Sequence, residues 1–199
     1  MSEAIQTEQV VTVARFEAFL ESQQDGSLWE LVAGRIVAMT NPSEVHEKIA
    51  SNIGAPLAMA MNPKGCHVYQ GGIGVQRSDL PNGTNRTWPD VVVRCGRVGT
   101  RNFITDALVV VEVLSPSTID VDRGEKLQFY KSLPMLRHIA LVYQDQTRVE
   151  HYRKTDLGWE FETLTHADDV LLFDALAFTI ALDRIYFGVE LTNVHRLAG

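Results

Sequence analysis

An α/β architecture, a mixed β-sheet flanked by helices with extra antiparallel hairpins, is what three stretches of this chain predict. Residues 107–114, ALVVVEVL, are apolar on both faces apart from one glutamate, as a central strand covered on each side must be. Residues 121–133 follow with apolar side chains at helical spacing, and residues 138–164 then break into three short strand-like runs. A buried strand, a covering helix and closing hairpins make a helix-on-sheet layer arrangement.

In chain order, Val11 to Glu21 reads as a short helix, with Val13, Phe16, Phe19 and Leu20 at helical spacing. Residues 28–39 read as two strands around a turn at Ala33-Gly34. A second helix starts with Asn41 as N-cap, Pro42 at the first helical position and Glu44 closing a capping-box-like pair. It runs to about Met61 with Ile49, Ile53 and Leu57 on one stripe and a kink at Pro56. Strands follow at His67–Gln70 and Ile73–Arg77, then a loop at Ser78–Thr87 marked by Asn82-Gly83. Strands at Asp90–Arg94 and Ala107–Leu114 precede a helix from about Val121 to Leu133, which Pro134 ends. Strands His138–Tyr143, Arg148–Arg153 and Trp159–Leu164 complete the pattern.

A chain of 199 residues with 45% apolar content suffices for one sizeable core. The expectation is a single domain over 11–187, a flexible amino-terminal segment at 1–10 and a tail at 188–199. The first residues lack a basic segment leading into an apolar one, and no window is apolar enough to span a bilayer, so a cytoplasmic protein with no membrane contact is expected. Cys66 and Cys95 form no CxxC pair, and two cysteines make no disulfide framework, so both are expected reduced. The net charge of −7 argues against a general polyanion-coating protein. Arg77, Arg86, Arg94, Arg97 and Arg101 nevertheless lie among only Asp79 and Asp90, either as a solvated face or as a local patch for nucleic acid.

Glu112 is the most informative residue. It interrupts a buried run with a group that costs several kcal/mol to desolvate unless paired or metal-bound. A buried ion pair, a strand end open to solvent or a bound cation must compensate it. Asp90 opens another apolar strand, where Pro89 holds Trp88 extended. It is either a turn-forming aspartate after proline or the second carboxylate of an oxygen-rich site suited to Mg²⁺. Lys126 shares one helical stripe with Asp122, Phe129, Tyr130 and Leu133, so it faces inward, while Arg123, Glu125, Gln128 and Lys131 take the wet side. Facing inward toward Glu112, it is a structural counter-ion or a catalytic cation. His46 sits at the top of the stripe of its helix, as a satisfied capping histidine or a member of the same site. Glu30, on a strand face with Leu28 and Val32, is a candidate supporting acid.

Together WELVAGRIVAM, His46, WPDVVV, VVVEVLSPST and DRGEKLQFY resemble a bacterial family, the Uma-type restriction-endonuclease-like proteins of the PD-(D/E)XK nuclease superfamily. The resemblance spans roughly Val11 to Phe187 and implies a restriction-endonuclease-like fold. It makes Pro89-Asp90 the PD element and Glu112 the acid, the two holding Mg²⁺ or Mn²⁺ with the main-chain carbonyl of Val113 as a third oxygen. The superfamily's usual lysine position, two after the acid, is Leu114 here, and the family's lysine is similar in place to Lys126. Glu30 and His46 match its recurring acid and histidine, and Tyr130 its helix tyrosine. LRHIALVY departs from the family's usual Glu-Tyr-Trp. The resemblance implies a DNA endonuclease using metal-activated water, working as a homodimer to cut two strands, without an organic cofactor. Arg77, Arg86 and Arg94 would supply phosphate contacts. The other reading is a nucleic-acid-binding or interaction module that keeps the fold and does no chemistry.

Overall fold

Thr12 starts the first helix, α1 (Val13–Ser22), by accepting the Arg15 N–H on its side chain. The computed structural model describes residues 10–23, 27–77, 82–116 and 118–191, so most of the 1–10 segment and the end of the 188–199 tail lie outside the described residues. Strands β1 (Trp29–Val32) and β2 (Arg35–Ala38) form a hairpin whose turn holds Ala33 at φ 49° and Gly34 at φ 79°. Two positive φ values in succession define the turn whose twist matches the flanking strands.

Helix α2 (Glu44–Met61) is capped by Ser43, whose Oγ accepts the His46 N–H at 3.2 Å. This corrects the expected Asn41 cap: the helix starts two residues later than Pro42 would place it, and Glu44 is its first residue. A hydroxyl already in reach of the third helical N–H fixes the start. The helix runs on through Pro56, which has no N–H to give back to the preceding turn.

Strands β3 (Cys66–Gln70), β4 (Gly74–Gln76), β5 (Arg86–Thr87), β6 (Val91–Cys95), β7 (Phe103–Ile104) and β8 (Val109–Leu114) follow. The expected regular helix over 121–133 is instead α3 (Ile119–Val121), a π-helical turn (Asp122–Lys126) and α4 (Leu127–Lys131). Strands β9 (His138–Tyr143), β10 (Val149–Thr155), β11 (Gly158–Leu164), β12 (Val170–Phe173) and β13 (Phe178–Ala181) and helix α5 (Leu182–Ile185) complete the described residues.

Three sheets result among the described residues. One has the order β11-β10-β9-β8-β6-β3, a second β2-β1-β5-β4-β7, and β12 pairs with β13 alone. The β8–β9 pair is parallel and its crossover carries the π-helical turn, while its neighbours pair antiparallel. Every residue of β8 is buried. Val109, Val111 and Val113 pack into one core with Ile49, Ile53 and Leu57 of α2. Val110 and Leu114 face the opposite core, formed with Leu127, Phe129, Tyr130 and Leu133. Strand alternation therefore aims Glu112 at the helix that follows it.

The cysteine expectation is overturned. Cys66 and Cys95 are register partners on β3 and β6, with Cα atoms 3.9 Å apart, and are joined as a disulfide. Their separation of 29 residues hides an antiparallel adjacency that only the sheet supplies. Among the described residues no helix is long and apolar enough to cross a membrane.

Candidate active site

The register of β6 on β8 pairs Val91 with Val111, so one step back sets Asp90 opposite Glu112. Asp90 Oδ2 accepts the main-chain N–H of Val113 at 2.6 Å, tying the start of β6 to β8. Its Oδ1 lies 2.9 Å from His46 Nε2, and His46 is delivered by the first turn of α2. The structure thus brings Val113 to Asp90 through its N–H.

Glu112 is met from the helical side. Lys126 Nζ lies 2.8 Å from Glu112 Oε1, 3.0 Å from Asp122 Oδ1 and 3.3 Å from Glu30 Oε2. Tyr130 donates its hydroxyl to the same Glu112 oxygen and also lies 3.0 Å from Thr87 Oγ1. Glu30 is anchored in turn by the Trp88 N–H, at 2.6 Å. The inward stripe expected for residues 122–133 is observed: Asp122, Lys126, Phe129, Tyr130 and Leu133 are all buried, with Arg123 and Gln128 exposed. The π-helical turn stacks Asp122 over Lys126, and such turns recur where a helix serves a site. Asp122 and Thr87 are the partners that sequence reasoning passed over. Asp122 was visible on the stripe, whereas Thr87 sat within a segment read as loop.

The electrostatics are lopsided. Glu30, Glu112 and Asp122 supply three carboxyl groups around the single ammonium of Lys126, and Asp90 beside them pairs with His46. Burial pushes the Glu112 carboxyl well above the ordinary range; Lys126 pulls it back, and Asp122, Asp90 and Glu30 push it up further. For Lys126 burial opposes the charge, but Glu112, Tyr130, Glu30 and Asp122 outweigh it and hold the ammonium protonated. Burial, then the Glu112 charge, keeps Tyr130 a neutral donor. His46 is raised above its usual value: burial works against its charge, and the Asp90 hydrogen bond and charge, aided by Glu47 and Asp122, overcome it.

Such an excess of buried negative charge fits a small cation. Asp90 keeps about a fifth of its side chain exposed, and Glu112 Oε2 accepts no hydrogen bond among the described residues. No three His, Cys, Asp or Glu side chains among the described residues form a ready-made metal cluster. The donor set is a pair of carboxylates, which suits a hard cation that fills its other positions with water and substrate oxygen.

The arginines read as phosphate contacts fall elsewhere. Arg86 is buried to 1% exposure and corrects the expectation: its guanidinium meets Glu17 at 2.6 Å and Gln76 Oε1 at 2.6 Å, and stacks 4.5 Å from the Phe103 ring centre. Inside the second sheet it has no face to offer a ligand. Arg94 pairs with Asp106 at 2.6 Å, toward the far end of β6 from Asp90. Arg77 is half-buried at the end of β4.

Residues 15–183 match the family model Uma2, described as "Putative restriction endonuclease". Two uncharacterized proteins of Synechocystis sp. are similar. One is 33% identical over 163 residues, covering 80% of this chain and 84% of its own. The other is 24% identical over 160 residues, covering 78% and 88%. A crystal structure described as a "putative nuclease belonging to DUF820" from Anabaena variabilis superposes with a TM-score of 0.71 at 16% identity, covering 88% of this chain and 97% of that one, which establishes the likeness of fold.

Proposed function

The chain belongs to the Uma2 restriction-endonuclease family, and from that premise we propose that it is a metal-dependent endonuclease that hydrolyses DNA phosphodiester bonds. The observation that carries the reading is the buried Glu112–Lys126 pair beside Asp90, with more carboxylates than cations around it. A structural ion pair needs one acid per base. Here the surplus acids stand where sheet, loop and helix meet; Asp90 keeps an edge toward solvent, and Glu112 Oε2 accepts no hydrogen bond among the described residues.

In this reading Asp90 and Glu112 hold Mg²⁺ or Mn²⁺, and the Val113 carbonyl is the expected third protein oxygen. When bound, such an ion would provide Lewis-acid chemistry, activating water and offsetting phosphate charge. Lys126 offsets negative charge as the phosphodiester bond breaks, and Glu30 and Asp122 hold its ammonium in place. Tyr130 and Thr87 fix the rotamer of Glu112, and His46 orients Asp90. Two copies acting as a homodimer would cut both strands of a duplex.

The test is a panel of supercoiled, linear, branched and single-stranded DNA, with RNA, incubated with Mn²⁺ alongside the Glu112→Gln protein. Cleavage of DNA by the wild type alone is expected. Cleavage of RNA only would discard the substrate and keep the chemistry. One observation favours a second reading, a binding module without chemistry: both Asp90 oxygens and Glu112 Oε1 already have partners within the protein. Binding of DNA with no cleavage of any substrate would establish that reading instead.

A further inference from the structure

A second polar feature lies on the same sheet face as the Asp90–Glu112 pair. Along β6, Asp90, Val92 and Arg94 alternate onto one face, and Val92 belongs to the core on the helical side. Beyond Cys95 the chain leaves the strand and turns back through Arg97 and Arg101 to β7. The turn borders an open hollow of about 450 Å³, lined by Tyr69, Arg94, Arg97, Arg101, Phe103 and Asp106, among others.

Its charges are arranged unlike those of an ordinary surface. Arg94 is a buttress: Nη2 meets Asp106 at 2.6 Å, and Nη1 donates to the Arg97 carbonyl at 3.0 Å, holding the loop open. The Arg94 Nε is buried with no hydrogen-bond acceptor among the described residues, an orphan donor of a kind that folded proteins seldom leave unmatched. Arg97 and Arg101 are exposed, and neither meets a carboxylate among the described residues. Arg101 rests over the Phe103 ring, 5.4 Å from its centre, and Arg86 approaches the same ring at 4.5 Å. In a chain of net charge −7, unpaired guanidinium groups beside a hollow are a local reversal of sign.

We propose that this pocket binds a phosphodiester of a nucleic-acid strand, with Arg97 and Arg101 clamping one phosphate while the Asp90–Glu112 pair addresses another. Guanidinium forks match phosphate oxygens in pairs, and a guanidinium plane parked on an aromatic ring also offers a stacking surface to a base. Asp90 and Arg94 are four residues apart on an extended strand, about 13 Å. At about 3.4 Å per step on each strand, that span is roughly four base steps. The assignment of the second phosphate rests on the nuclease reading; the pocket's affinity for a strand does not.

The experiment is fluorescence anisotropy of a labelled DNA oligonucleotide, single-stranded and duplex, titrated in EDTA over a salt series. The proteins compared are the wild type, Arg97→Ala/Arg101→Ala and Arg97→Lys/Arg101→Lys. Both side chains are exposed, so the melting temperature should stay unchanged. The alanine pair should bind at least about fivefold more weakly, and its salt slope should fall by about 0.9 for duplex or 0.7 for single strand, one phosphate contact's worth. The lysine pair should keep the slope. Equal affinity and slope in the alanine pair, or no binding by the wild type, would overturn the proposal. Full displacement of the strand by a mononucleotide at equal phosphate concentration would also overturn it, identifying a free-nucleotide site. Cleavage assayed separately on the same proteins keeps the two readings apart: cutting with arginine-indifferent binding removes only this pocket, and arginine-dependent binding without cutting removes only the nuclease.

Discussion

Lys126 Nζ and Glu112 Oε1 are 2.8 Å apart, and both side chains are almost wholly withdrawn from water. Taking one partner away leaves a charge without compensation, so Lys126→Ala should lower stability by about 3 to 5 kcal/mol as well as abolish cleavage. The double variant Lys126→Met/Glu112→Gln should recover much of that loss in urea denaturation and stay inactive. If Lys126→Ala cuts DNA normally, the assignment of its role is wrong.

Tyr130 is the other donor to that glutamate, and its ring is part of the core. Tyr130→Phe keeps the ring and deletes the hydroxyl that links Glu112 to Thr87. A cost of about 1 to 2 kcal/mol is expected from the unmatched buried acceptors. Activity should drop through kcat, with KM little changed, since the hydroxyl positions Glu112 and touches no substrate.

Metal binding should follow Asp90 and Glu112. Calorimetry with Mn²⁺ is expected to show one site per chain, absent in Asp90→Ala. Unchanged binding in that variant would remove Asp90 from the donor set.

His138 and His151 stack on adjacent strands with Nδ1 and Nε2 3.1 Å apart, flanked by Asp174 and Glu162. Burial, then the neighbouring His151, lowers His138 to about 4, and burial lowers His151 as well. The fold therefore favours the neutral rings. Their contribution is complete above the unfolded value of about 6.5 and is lost as pH falls toward about 4, on the order of 3 kcal/mol for His138. Urea midpoints measured across that window should fall steeply in the wild type and less so in His138→Asn.

Arg86 is predicted to be structural. Arg86→Met should destabilise by about 3 kcal/mol, through loss of the contacts to Glu17 and Gln76, and leave the salt dependence of DNA binding unchanged. A changed salt slope would return it to the binding surface.

Periodicity revealed what periodicity controls. The uninterrupted apolar run around Glu112 announced a strand covered on both faces, and the spacing of Asp122, Lys126, Phe129, Tyr130 and Leu133 announced which side of the helix met it. It could not reveal that Asp122–Lys126 winds as a π-helix, because the same residues face inward in either winding. Ser43 displaced Asn41 because several capping residues stood in a row and only geometry selects among them. Arg86 was misread because a buried arginine and an exposed one are the same letter. It takes Glu17 and Gln76, from distant elements, to hold it inside. Cys66 and Cys95 were misread for the same reason, since strand pairing is a long-range fact.

Glu30, Asp90, Glu112 and Lys126 come from β1, the entry to β6, β8 and the π-helical turn, and the Lys126–Glu30 contact closes a loop of 96 residues. Contacts of that reach form late, after the chain has met the entropy of closing the loop. During synthesis, the acids emerge before the lysine that completes their arrangement. A chain cut or stalled between them carries no working fragment. The site is in this sense its own assembly check: it comes into being only when strands of both large sheets and the helical segment after β8 have docked, so under the proposed nuclease reading an incomplete copy would be inactive.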